Sequence, residues 1–147
     1  MPIAARGATT IARPVEEVFD YLVDARNEPR WLPGASSVEK TSDGPVGLGS
    51  TFAGEYRGAG SVQLELVEFD RPRRVTFRAR SRIVDFDDAV ELTPLDAGTR
   101  LEALMTAQPR GAMRLVSPLM ARTMRRQFAA NWDHLRAALE DSKQPSR

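Results

Sequence analysis

Three aspartates fall within four positions in Ile83-Val84-Asp85-Phe86-Asp87-Asp88-Ala89, and a carboxyl held away from water is a candidate acid or base. On a strand Asp85 and Asp87 share one face and Asp88 the other. Asp85 and Asp87 are expected to be solvated, paired across strands with Arg78, Arg80 or Arg82. If the Val90 and Leu92 side points inward, Asp88 enters the interior. Tyr56 offers a second polar group: if Phe52, Gly54 and Tyr56 face inward, Gly54 leaves room and the phenol sits in an apolar wall, as a ligand contact or as core. Tyr56 and Asp88 are therefore the catalytic candidates.

The remaining chemistry is sparse. Zero cysteines exclude disulfides, a thiolate nucleophile and every Cys-based zinc site, and the single histidine, His134, excludes a two-His metal site. His134 is expected at the surface, and the aspartate cluster lacks calcium-loop spacing, so neither a metal nor another cofactor is expected. Trp31 is either a stacking surface for a planar ligand or a plug between helix and sheet. On a 100° wheel Met113, Val116, Met120, Met124, Phe128, Asn131, Leu135 and Ala138 share a stripe, with Arg114, Arg122, Arg125 and Arg136 opposite. Trp132 falls on the flank, where packing is expected. Gln127 and Asn131 are costly to bury without partners, so at least one is expected to meet a ligand or water in a cavity, the alternative being to cap nearby backbone.

The elements that must position these groups follow from the pattern along the chain. Ala4–Ile11 reads as a strand. Pro14 and the acidic pair Glu16-Glu17 suit a helix start, and Val15, Val18, Phe19, Leu22 and Val23 recur at helical spacing through Asp24. A short helical turn follows over Asn27–Leu32. From Ser36 to about Ala107, strands alternate with turn signals: Ser37–Thr41, Gly49–Arg57, Ser61–Phe69, Arg73–Arg82, Ile83–Thr93 and Thr99–Ala107. Val75, Phe77 and Ala79, like Leu101, Ala103 and Met105, alternate with polar residues, giving the sheet one buried face. The helical period returns to about Asp141, with Ser117-Pro118 either an N-cap and first helical position or a kink. Residues 142–147 form a polar tail, leaving one domain over 1–141.

The composition bounds the function. A chain of 147 residues, 41% hydrophobic and 28% charged, buries a core without staples. A net charge of +1 argues against nucleic-acid binding. All but two of the 21 basic residues are arginine, and Arg110, Arg114, Arg122, Arg125 and Arg126 form an acid-free run, read as a solvated face or as a transient contact with an anionic membrane. The start MPIAARGATTIARPVEE lacks the features of a secretory signal, and no apolar run approaches the roughly 20 residues that span a bilayer, so a cytoplasmic location is expected.

Five pieces in register carry a resemblance: Ile11-Ala12-Arg13-Pro14-Val15-Glu16-Glu17-Val18-Phe19, Asn27-Glu28-Pro29-Arg30-Trp31, Val46-Gly47-Leu48-Gly49-Ser50, Asp70-Arg71-Pro72-Arg73-Arg74-Val75 and Gly98-Thr99-Arg100-Leu101. In this order they resemble the polyketide cyclase/dehydratase branch of the START-like (SRPBCC) superfamily, over about residues 3–141. The resemblance implies an α+β helix-grip fold: a curved antiparallel sheet of about seven strands wrapped around a long C-terminal helix, two short helices after the first strand, and an apolar cavity between sheet and helix. It places Trp31 near the cavity mouth. The expected ligand contacts are Trp31, Phe52, Tyr56, Phe77, Asp88, Met105, Met120, Met124, Gln127 and Asn131. The expected function is binding or transport of a small hydrophobic ligand, lipid-like or polycyclic. A cyclase, aromatase or dehydratase is the alternative, and a co-chaperone-like interaction module a second, since this fold hosts many activities. Monomer and homodimer are both compatible with the sequence.

Overall fold

The computed structural model describes residues 3–115 and 118–141. The expected polar tail, Val116 and Ser117 lie outside them, as does the side chain of Met113. Seven strands form one antiparallel sheet: β1 (Ile3–Ile11), β2 (Ala35–Lys40), β3 (Thr51–Tyr56), β4 (Gly60–Asp70), β5 (Arg74–Arg80), β6 (Val84–Leu95) and β7 (Gly98–Pro109), in the order β1-β7-β6-β5-β4-β3-β2. Helix α1 (Val15–Val23) follows β1. A 3-10 turn over Ala25–Asn27 then leads into the single-turn helix α2 (Glu28–Trp31), and the long helix α3 (Pro118–Asp141) closes the chain. These are the antiparallel sheet of seven strands, the short helices after the first strand and the long C-terminal helix that the sequence leads one to expect.

Period-2 alternation sends Phe52, Val62, Leu64, Leu66, Val75, Phe77, Ala79, Val90, Leu92, Leu101 and Ala103 to one face, where α1 and α3 cover them. Helix α1 buries Val15, Val18, Phe19, Leu22 and Val23, with Phe19 5.2 Å from Phe69. Pro14 lies in extended conformation just before it as the N-cap, with Glu16 and Glu17 in the first turn.

Helix α3 begins at Pro118, after a 3-10 turn over Gly111–Leu115, so one helix does not run from Gly111 through a kink. Its buried residues are Phe128, Trp132, Leu135 and Leu139, none of them in the first ten residues of the helix. The far end of α3 is latched to the β1–α1 corner. The Ala12 amide donates to Glu140 Oε2 (2.9 Å), Arg13 Nε donates to the Leu139 carbonyl (3.0 Å), and Thr99 Oγ1 donates to the Arg13 carbonyl (2.7 Å). A cation at a helix C-terminus also suits the helix dipole.

Candidate functional site

Between the middle of the sheet and the second half of α3 lies a chamber of about 140 Å³. Its walls are mainly apolar and aromatic: Trp31, Phe77, Phe86, Phe128 and Trp132, with Leu32, Leu64 and Met105. Four polar side chains interrupt them: Glu28, Tyr56, Asp88 and Asn131.

Each polar group is placed by its element. Asp88 shares the inward face of β6 with Val90 and Leu92, opposite Phe77 on β5 and Met105 on β7. Neither neighbour side chain has a hydrogen-bond donor to offer, and Asp88 Oδ1 is buried with no partner. Tyr56 comes from β3, where Gly54 makes its position possible: a Cβ at Gly54 would sit 2.8 Å from Tyr56 Cε1 and 2.9 Å from Val38 Cγ2. The space that Gly54 leaves is thus taken by the tyrosine ring and Val38.

Glu28 opens α2. The turn before it is held by the Arg26 amide donating to Asp24 Oδ1 (3.1 Å) and by Asn27 Nδ2 donating to the Tyr21 carbonyl (3.0 Å). The Tyr56 hydroxyl donates to Glu28 Oε1. Removal from water pushes the Glu28 carboxyl up to about 7, with the Tyr56 hydrogen bond pulling the other way. Burial, and then the charge of Glu28, raise Asp88 to about 7 as well. Tyr56 is held neutral, its ionisation opposed first by burial and then by Glu28. Two carboxyls poised near neutrality and a phenol thus face one apolar space, a combination suited to taking up and returning protons.

Aromatic packing frames the chamber. Trp132 is 2% exposed, 5.6 Å from Trp31 at 31° and 5.5 Å from Phe128 edge-on. A Cβ on Gly7 of β1 would lie 2.3 Å from Trp132 Cδ1, so only glycine lets the indole lie on the strand. Both Trp31 Nε1 and Trp132 Nε1 are buried without a partner.

The chamber gathers Trp31, Tyr56, Phe77, Asp88, Met105 and Asn131 of the expected contacts. Phe52 is buried but packs edge-on against Phe77 at 6.4 Å, behind the wall. Met120 is 46% exposed and Met124 partly buried, and neither lines the chamber. The wheel places them on the Phe128 stripe, yet no residue of α3 before Phe128 is buried. Gln127 is exposed and donates to Asn131 Oδ1 (3.1 Å), so the two amides partly satisfy each other and only Asn131 reaches the chamber. Trp132, expected as flank packing, borders the chamber.

Glu28 escaped the sequence reading altogether. It precedes Trp31 by three residues in a helical turn, and the i,i+3 relation that puts both on one face was the available signal. On the outer face Asp87 pairs with Arg78 (3.1 Å), as expected, whereas Asp85 lies 3.6 Å from Arg110 rather than pairing with a β5 arginine. His134 is exposed. Among the described residues no cluster of three His, Cys, Asp or Glu is placed to hold a metal. Among them, too, no helix is long and apolar enough to cross a membrane. A larger open groove of about 820 Å³ runs over outward-facing Arg6, Ala8, Ala89 and Leu104, beside the Arg74–Glu91 pair (2.7 Å).

A curved seven-stranded antiparallel sheet with one long C-terminal helix, and short helices after the first strand, is the helix-grip fold of the START-like class. Within that class, the chain belongs to the family described as polyketide cyclase / dehydrase and lipid transport, whose model matches residues 2–140. The Mycobacterium tuberculosis protein Rv2574 is 28% identical over 133 residues, which cover 85% of this chain and 80% of that one. The ZhuI aromatase/cyclase of Streptomyces sp. R1128 superposes with a TM-score of 0.71 at 20% identity, over 100% of this chain and 97% of that one. The di-domain ARO/CYC BexL of the BE-7585A biosynthetic pathway superposes with a TM-score of 0.72 at 17% identity. That match covers 99% of this chain but 51% of the other, so this chain spans about half its length. At these identities the structural likeness establishes the fold.

Proposed function

We propose that this protein binds a small, largely apolar molecule with at least one polar end in the chamber between sheet and α3. The observation that carries this reading is the placement of Glu28, Tyr56 and Asp88 in a mainly apolar and aromatic space. A core built for stability alone does better with apolar groups, because an unpartnered buried oxygen such as Asp88 Oδ1 costs about 1–3 kcal/mol. Family membership supports the reading. The volume, about 140 Å³, matches cavities that hold one benzene-sized ring rather than the roughly 300–1,000 Å³ of drug-sized sites. As it stands the chamber fits a single ring or a short branched chain, or one end of a longer guest. Thermal-shift and native mass-spectrometric titration with phenol and cyclohexanone test this: stabilisation and a one-to-one adduct are expected, both lost in Met105→Trp. No shift and no adduct with either compound would refute it.

A second reading, general acid–base catalysis, is favoured by the convergence of two carboxyls near neutrality on one space. In a dehydration one carboxylate takes the proton alpha to a carbonyl. The other, protonated, gives its proton to the departing hydroxyl, which leaves as water. Diacetone alcohol, converted to ultraviolet-absorbing mesityl oxide, is a suitable probe. The rate should rise above background with wild type and fall to it in Asp88→Asn. The interaction-module reading draws on exposed Leu115, Leu119 and Met120 alone.

A further inference from the structure

The three aspartates of β6 are treated differently by a chain rich in arginine. Asp87 is hydrogen-bonded by Arg78, and Asp85, whose buried Oδ1 also lacks a hydrogen-bond donor, has the Arg110 cation 3.6 Å away, whereas Asp88 Oδ1 has neither donor nor cation. Glu28 accepts from Tyr56, which satisfies one oxygen without neutralising the charge. Among the described residues no arginine, lysine or histidine lines the chamber, and the charged groups that do are both acidic. Much of the remaining lining is aromatic ring surface from Trp31, Trp132, Phe77, Phe86 and Phe128, with aliphatic surface from Leu32, Leu64 and Met105 and one amide, Asn131.

Acidic oxygens beside aromatic faces favour a guest with a cationic end, and the unpartnered Trp31 and Trp132 N–H groups leave room for an acceptor elsewhere on it. An ammonium group brings the donors that Asp88 and Glu28 lack and the positive charge that they repel each other for want of. Its carbon substituents fill the apolar volume, and the ring faces attract the cation. An anion would meet two carboxyls, and a neutral guest would leave them uncompensated. The geometry points to a small protonated amine, with about six non-hydrogen atoms, as the ligand class of this chamber, its ammonium between Asp88 and Glu28. This rests on the chamber being a binding site. It narrows the guest from small and apolar to small and cationic. It also explains why burial tolerates two acids here: each is raised towards neutrality in the empty chamber, and a cation would return both to the ionised form.

The test is isothermal titration with three matched probes, cyclopentylammonium, cyclopentanol and cyclopentanecarboxylate. At about pH 8, above both carboxyl values, the ammonium should bind at least about tenfold more tightly than the alcohol, and the carboxylate least. Near pH 7, repeating the ammonium titration in buffers of different ionisation enthalpy should show net proton release. Asp88→Asn should abolish the preference over the alcohol. Glu28→Gln, which keeps an acceptor for Tyr56, should weaken it severalfold, and it serves if the first variant fails to fold. Alcohol bound as tightly as ammonium, or carboxylate bound most tightly, would overturn the cationic assignment and leave the chamber reading standing. No binding of any of the three to folded protein would overturn both.

Discussion

Asp87 and Asp88 are adjacent in sequence and sit on opposite faces of one sheet. The outward carboxylate is exposed and forked by Arg78, and such pairs contribute little. The inward one lies among rings, unpartnered and raised towards neutrality. The outer face tolerates charge because water and arginine share its cost. The inner face tolerates it only at the cost of pushing the carboxyl towards neutrality, which is why the proposed site is placed there.

The contrast between the faces should be widest for size. Gly7→Val on the inner face drives a side chain into Trp132 and should cost about 3 kcal/mol or more in chemical denaturation, whereas Ala8→Val on the outer face should be near neutral. Charge comes next. Glu28 and Asp88 hold protons more tightly folded, at about 7, than at their ordinary values of 4.5 and 3.8. Across that window the folded chain binds more protons than the unfolded one, so stability falls as pH rises and levels off above about 7. Asp88→Asn should flatten part of this slope and stabilise the protein above neutrality by on the order of 1–2 kcal/mol, while Asp87→Asn should leave the slope as it is. Urea midpoints from pH 4 to 9 measure both. A smaller effect is expected from Tyr56→Phe, which removes the one bond that lowers Glu28. The Glu28 carboxyl should titrate higher still by carbon-13 NMR, with about 1 kcal/mol of stability lost.

The fold was largely legible in the residues. Turn signals such as Ser42-Asp43-Gly44-Pro45 and Asp70-Arg71-Pro72 bound the strands to within two or three residues of their observed ends, because turn chemistry is local. The inward face of β6 was readable from Val90 and Leu92, and Asp88 with it. Two things were not readable. Periodicity shows which residues of α3 share a face, but not how far along the helix the core reaches, hence the misplacement of Met120 and Met124. The partnership of Glu28 with Tyr56 joins a helical turn to a strand 28 residues on, and no local pattern encodes it. Gly7 in mid-strand was a usable sign that a bulky group approaches, and Trp132 is that group.

The strand order carries one last consequence. Strands β2 to β7 each pair with a sequence neighbour, but β1 pairs only with β7, Ile3 lying opposite Ala107. Emerging from a ribosome, β1 must therefore wait, unzipped, until β7 has been made, and the indole that rests on Gly7 arrives later still. The space between sheet and α3 is therefore closed only after β7 and α3 have both been made.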